Sequence, residues 1–246
     1  MGWVDGPVVG FDTETTGVDV TTNRIVTAAL VRREGTTTSV TSWLLDPGVE
    51  IPEGAAAVHG ITTEHARLHG EPPPPALDTM ARMLTEALLR GEPVVAYNAS
   101  FDLSLLDAEL RRHGLPTLPE RLGRAVRVVL DPLVLDRSLD RYRPGKRRLG
   151  DLCAHYRVTA HADLHTADVD VLATLDVLTA LARRFPSLAQ ATLDEIHDHQ
   201  VVAHRDWATR FNAWRISQGY EGPGADLLWP AREAVAPVRE AVPAIA

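Results

Sequence analysis

Val8-Val9-Gly10-Phe11-Asp12-Thr13-Glu14-Thr15-Thr16-Gly17 runs from a short apolar segment straight into a polar string that carries two acids. An apolar run this short, ended by polar turn formers, reads as a buried strand. Alternate residues of a strand face the same side. Asp12 and Glu14 therefore set two carboxylates side by side where the strand ends. Adjacent anions repel, so the pair needs a shared proton or a cation between them. Hard divalent ions such as Mg²⁺ favour carboxylate oxygens. A plainer reading of the same letters is a turn in which Asp and Thr cap backbone groups.

Outward from this stretch, Ile25 to Val31 and Thr37 to Leu45 are rich in β-branched residues. Arg32-Arg33-Glu34-Gly35 between them is a hairpin signal, and Asp46-Pro47-Gly48 ends the third strand. A loop-rich passage follows, up to Pro72-Pro73-Pro74-Pro75, which is expected to be extended and to stop whatever precedes it. From Ala76 the apolar positions Leu77, Met80, Ala81, Leu84 and Leu88 recur at helical steps. Val94 to Tyr97 and Val126 to Leu130 read as short buried strands. Ser100 reads as the N-cap of a helix carrying Leu103, Leu106 and Leu110. Leu149, Leu152, Cys153 and Tyr156 mark another helix, and Val171, Leu175, Leu178 and Ala182 one more.

That order predicts an α/β fold. Its mixed sheet has a three-strand antiparallel meander followed by parallel strands, flanked by helices. Residues 1–186 are expected to form this domain. Residues 187–246 are expected to be a helical C-terminal extension, in which a polar helix with Trp207, Phe211 and Trp214 leads to a frayed Ala/Pro-rich end.

Composition narrows the partners. Hydrophobic residues make up 45% and charged residues 24%, which excludes bulk disorder. Asp plus Glu number 33 against 25 Lys plus Arg, a net charge of -8. A protein holding nucleic acid by charge alone would be basic, so any phosphate is met locally, by a basic patch or by bound cations. Cys153 stands alone, which excludes a disulfide framework and a multi-cysteine metal site. No apolar run approaches the roughly 18 residues of a membrane span. The start, Met1 to Pro7, lacks the pattern of a signal peptide. The expectation is a soluble, cytoplasmic protein with no membrane partner.

Two further acids bear on the first pair. Asp102, in Asn98-Ala99-Ser100-Phe101-Asp102, sits where a helix dipole attracts an acid in any case. Asp170, in His165-Thr166-Ala167-Asp168-Val169-Asp170, lies between Val169 and Val171 at the head of an apolar helix, where an unpaired carboxylate is costly. Thr166 reads as that helix's N-cap. His165, in the loop before it, is placed to act as a general base beside a metal site. Zinc ligation by His161 and His165 competes with that role and explains the stretch less well. Arg141 to Arg148 is the densest basic segment, read either as a phosphate contact through Arg147 and Arg148 or as a solvated loop. His59 reads as a packed loop residue, and His197-Asp198-His199 as polar helix surface.

The string Val9 to Gly17 resembles the first motif of the DEDDh 3′–5′ exonucleases, the DnaQ-like group that includes the proofreading epsilon subunit of bacterial DNA polymerase III. Tyr97 to Asp102 is similar to the second motif, and His165 to Asp170 to the His-containing third; Tyr97 stands where many members have His. Val58 to Thr62 and Leu149 to Cys153 resemble secondary segments. The resemblance implies an RNase H-like fold and two divalent ions, Mg²⁺ or Mn²⁺, held by Asp12, Glu14, Asp102 and Asp170, with His165 deprotonating the attacking water. It places a 3′-terminal nucleotide over Thr13, Thr15 and Thr16, with Asn98 and Phe101 lining the cleft. The implied activity is hydrolysis of single-stranded DNA from its 3′ end to nucleoside 5′-monophosphates, in proofreading or repair beside a DNA polymerase or replisome partner. RNA 3′ ends are the rival substrate. A non-catalytic nucleic-acid-binding or polymerase-accessory module is the rival class, and its signature, a lost metal-binding carboxylate, is missing from this sequence.

Overall fold

A computed structural model describes residues 2–159 and 166–231. Among them, β1 (Val8–Thr15), β2 (Ile25–Glu34), β3 (Thr37–Leu44), β4 (Val94–Val95) and β5 (Val129–Leu130) form a five-stranded sheet in the order β3-β2-β1-β4-β5. β1 pairs antiparallel with β2, and β2 with β3, while β4 runs parallel to β1 and to β5. The expected meander followed by parallel strands is present. Gly35, at φ +57°, supplies the left-handed position of the two-residue turn that joins β2 to β3.

The helices are α1 (Glu53–His59), α2 (Thr63–His69), α3 (Pro73–Leu89), α4 (Ala99–Arg112) and α5 (Leu118–Leu122) in the first half. α6 (Pro132–Leu139), α7 (Leu149–Tyr156), α8 (Ala167–Arg184), α9 (Pro186–Gln190) and α10 (Leu193–Ser217) follow. No helix among the described residues is long and apolar enough to cross a membrane.

The alternation along β1 separates two cores. Val9 and Phe11 pack with Leu77, Met80, Leu84, Leu103 and Leu106 of α3 and α4 on one face. Val8 packs with Val171, Leu175 and Leu178 of α8 on the other. Gly10 also faces α8, where a Cβ would collide with Val171 and press on Leu175. The missing side chain is what lets α8 lie close against β1.

Several expectations need correction. The passage before the prolines holds α1 and α2, each of seven residues and too short to show a period. The proline run does not stay extended, because Pro73 opens α3 and the next two prolines fill its first turn. Amide hydrogens there have no helical acceptor, so proline loses nothing. α4 starts at Ala99 after Asn98 at φ +61°, so Ser100 is inside the helix and is not its cap. Val128 adopts φ +64°, which delays β5 to Val129.

His197 is not surface. α10 lies along the open edge of β5 and answers its backbone with side chains. His197 Nδ1 accepts from the Val129 amide at 3.3 Å. Gln200 donates to the Val129 carbonyl at 2.9 Å, and its Oε1 accepts from the Asp131 amide at 2.7 Å. Two side chains thus do what a sixth strand would do. Replacing Gln200 with Leu should orphan both backbone groups, at about 1–3 kcal/mol each. The expected fall in melting temperature is roughly 5–15 °C by calorimetry; a fall under about 2 °C would show that α10 does not support the edge in this way.

Candidate active site

The ends of β1, β4 and β5 and the starts of α4 and α8 meet at one end of the sheet. Asp12 and Glu14 face α8, on the same side of β1 as Gly10. With α8 drawn close, Asp170 comes beside them, and one oxygen from each of the three carboxylates lies within 4.8 Å of the others. Thr13 points to the opposite side. Its amide and hydroxyl donate to Asp102 Oδ1 at 3.1 and 2.7 Å, which draws the fourth carboxylate toward the strand from α4. The sequence motifs are therefore brought together, three acids from one face of the sheet and one from the other.

Asp131 holds α4 in place, although in the sequence it reads only as the end of a strand. It is 1% exposed. Its oxygens accept from the amides of Asn98 at 3.1 Å, Ala99 at 3.0 Å and Leu133 at 2.9 Å. One buried carboxylate thus ties the end of β5 to the left-handed turn that aims Asp102. The Asp131-Pro132 pair before an apolar run is the available signal, since it is an N-cap followed by proline at the first helical position.

The acids repel one another. Burial pushes the Asp12 carboxyl well above the usual carboxylate range, and Asp102, Asp170 and Glu14 add to the rise. Glu14 is pushed up to about 7 by burial and then by Asp170 and Asp102. Burial raises Asp102 to about 7 despite the hydrogen bonds from Thr13. No Arg or Lys among the described residues forms an ion pair with Asp12, Glu14 or Asp102. Carboxylate oxygens clustered in this way are the donor set that hard divalent cations take. Asp12, Glu14 and Asp170, with Asp102 adjoining, are the residues that fit one.

The other expected contacts are distributed unevenly. Thr15 Oγ1 donates to the Gly17 carbonyl at 2.7 Å. Thr16 Oγ1 accepts from the amide of Arg24 at 3.0 Å and from Asn23 at 3.2 Å. The hydroxyls of Thr13, Thr15 and Thr16 are thus engaged in holding the strand end and its turn. Asn98 is exposed and Phe101 partly buried on α4 beside Asp102. Arg147 is paired with Asp136 at 2.6 Å, and Arg148 is exposed at the start of α7. Tyr97 donates from its hydroxyl to the Arg147 carbonyl at 2.6 Å, so the basic loop is pinned to the end of β4. His59 is buried, accepts from the Ile61 amide at 3.2 Å, and is held below the usual histidine pKa by burial. His161 and His165 lie outside the described residues, while Thr166 is the N-cap of α8 as expected.

Residues 9–178 match the family model for exonucleases of the RNase T type. The PolC-type DNA polymerase III of Streptococcus sanguinis is 29% identical over 172 residues, 69% of this chain and 11% of the relative. That of Streptococcus thermophilus is 31% identical over 170 residues, 68% of this chain and 10% of the relative. The chain thus spans about a tenth of the length of these polymerases. Among solved structures, exonuclease I of E. coli in complex with a dA16 oligonucleotide superposes with a TM-score of 0.63 at 20% identity, covering 81% of this chain and 44% of that one. Exonuclease I from Methylocaldum szegediense gives 0.62 at 22% identity, covering 87% and 45%. The mixed sheet flanked by helices is the RNase H-like exonuclease fold of these neighbours.

Proposed function

This chain belongs to the exonuclease family whose model covers its residues 9–178, and from that premise we propose that it removes nucleotides from the 3′ end of single-stranded DNA as 5′-monophosphates. The observation that carries the reading is the convergence of Asp12, Glu14 and Asp170, with Asp102 beside them, at one end of the sheet. Four carboxylates alone would repel a phosphodiester. Asp12, Glu14, Asp102 and Asp170 would hold two divalent cations, Mg²⁺ or Mn²⁺, which when bound offset the phosphate charge and ease both attack and departure. Thr13 orients Asp102, and Asp131 orients the helix that carries it. His165 takes the proton of the attacking water. Asn98 and Phe101 flank the terminal nucleotide. The relatives that are DNA polymerase III chains favour a DNA polymerase as the working partner.

The test is hydrolysis of matched 5′-labelled DNA and RNA oligonucleotides. Cleavage should stop in excess chelator and return with Mg²⁺ or Mn²⁺, and a 3′-phosphate should block it. Undiminished cleavage in chelator would overturn the carboxylate reading. Equal rates on blocked and free ends would make the protein an endonuclease, and faster RNA cleavage would reassign the substrate.

A further inference from the structure

Beside the active-site end of the sheet, α6, the basic loop and α10 enclose a cleft of about 410 Å³. Arg137, Arg141, Arg147 and Arg210 line it together with Trp207, and Asp206 is the one acid in the lining. In a chain of net charge -8 this is a local excess of positive charge. Arg147 is balanced by Asp136, but Arg137, Arg141 and Arg210 make no ion pair among the described residues. Guanidinium groups gathered this way favour an anionic occupant.

A row of aromatic rings continues from the cleft. The Arg137 guanidinium lies over the Trp207 ring, 3.8 Å from its centre. Trp207 stacks on Phe211 at 5.3 Å and 14°, and Phe211 on Trp214 at 5.8 Å and 30°. Tyr220 lies 5.7 Å beyond Trp214. Spacings of four and three put the first three rings on one face of α10. They continue the stripe of the buried residues Ile196, Gln200 and His204, with Trp207 against the His204 ring at 5.6 Å, and carry it beyond the point where the sheet covers it. Trp207 and Phe211 are partly buried, while Trp214 is 51% exposed and Tyr220 56%, so the far end of the row opens to solvent. A row of flat rings that opens to water at Trp214 and Tyr220, with arginines beside it, suits a ligand that offers flat rings and phosphates in turn. An aliphatic protein helix would leave the arginines unanswered, and a membrane surface offers phosphates but no flat rings for the row to stack on.

The cleft is also tied to the helix that carries Asp102. Tyr97, whose hydroxyl holds the Arg147 carbonyl, immediately precedes Asn98 and the helix that carries Asp102. Arg137 is close enough for its charge to act on Asp131 and Tyr97. From Trp207 to Trp214 the helix advances about 10 Å, so the row lengthens the cleft by that much. We propose that the cleft and the α10 aromatic row form a track for single-stranded nucleic acid, holding the strand behind the 3′ end. What the track delivers to the carboxylates rests on the exonuclease reading.

The track is tested by binding, in chelator, of labelled DNA and RNA oligomers of 4 and 16 nucleotides to the full chain. Fluorescence anisotropy should show tighter binding of the 16-mers. The double variant Trp214→Ala/Tyr220→Ala should weaken 16-mer binding about tenfold or more, since each base stacked on an aromatic side chain is worth about that much. Arg141→Gln/Arg210→Gln, on exposed side chains, should make the slope of log affinity against log salt shallower by about 0.7 for each phosphate no longer neutralised. Circular dichroism verifies folding, and if the aromatic pair unfolds, the arginine pair decides. Unchanged 16-mer affinity and salt slope in folded variants would overturn the track. So would a change confined to self-association, which would assign the face to a second copy of the chain. Binding through these residues without any cleavage would refute the exonuclease reading alone. Cleavage with one KM for both lengths, in wild type and variants, would refute the track alone.

Discussion

Asp12→Asn should cost on the order of 10³-fold or more in kcat at saturating Mg²⁺ and, in the same protein without metal, raise the melting temperature. The first effect follows from removing one donor of the cluster formed with Glu14 and Asp170, where charge offset is worth several kcal/mol. The second follows from the acids themselves. The Asp12, Glu14 and Asp102 carboxyls are raised above their ordinary values, the latter two to about 7. Between the usual carboxylate range and that pH, the folded chain binds more protons than the unfolded chain. Stability of the metal-free protein therefore falls as pH rises through this window. Its melting temperature in chelator should be lower at pH 7.5 than at pH 5, and Mg²⁺ should restore it by binding the folded state. Asp12→Asn should flatten the profile and gain about 2–4 °C at pH 7.5 for each kcal/mol of repulsion relieved. Thermal scans in chelator across pH 5 to 7.5 decide. A variant that loses activity and also melts lower at pH 7.5 would mean that Asp12 is a structural acid and not part of a strained cation site.

That opposition between function and stability explains why the site is legible in the sequence. Asp-x-Glu at a strand end and Asp170 amid valines break the rules that govern a core, and broken rules mark sites. The order of strands is legible too, because β1 opens on an apolar run, β2 and β3 are rich in β-branched residues, and the chain turns between them at Gly35. Features that depend on tertiary partners are not legible. Val128 in a left-handed conformation, α1 and α2 at seven residues each, and Pro73 opening α3 rather than breaking it carry no periodic signal. His197 and Gln200 look polar in any window, and become interior only because β5 leaves an edge that α10 covers. Asp131 escapes a sequence reading for a related reason. Its partners Asn98 and Ala99 are more than thirty residues away, and only the parallel pairing of β4 with β5 brings them within reach.

His165 provides the sharpest division of roles among the residues proposed for catalysis. If it takes the proton of the attacking water, His165→Ala should lower kcat by about 10²–10⁴, the usual worth of a positioned base. Folding should change little, because α8 is started by the Thr166 backbone and held by Val171, Leu175 and Leu178 against the sheet. Cation affinity should persist, because Asp12, Glu14, Asp102 and Asp170 are untouched. Asp170→Ala differs on that last point. It removes a donor from the cluster and should weaken Mg²⁺ binding along with the rate. Calorimetric titration of Mg²⁺ into both variants, beside their kcat values, separates a proton carrier from a ligand. The low-pH limb of the rate profile should shift or vanish for His165→Ala, because a histidine base must be neutral to act. Near-wild-type kcat for His165→Ala at neutral pH and saturating Mg²⁺ would remove His165 from the mechanism and make His161 the next residue to replace. Loss of Mg²⁺ affinity in that variant would instead make it a ligand.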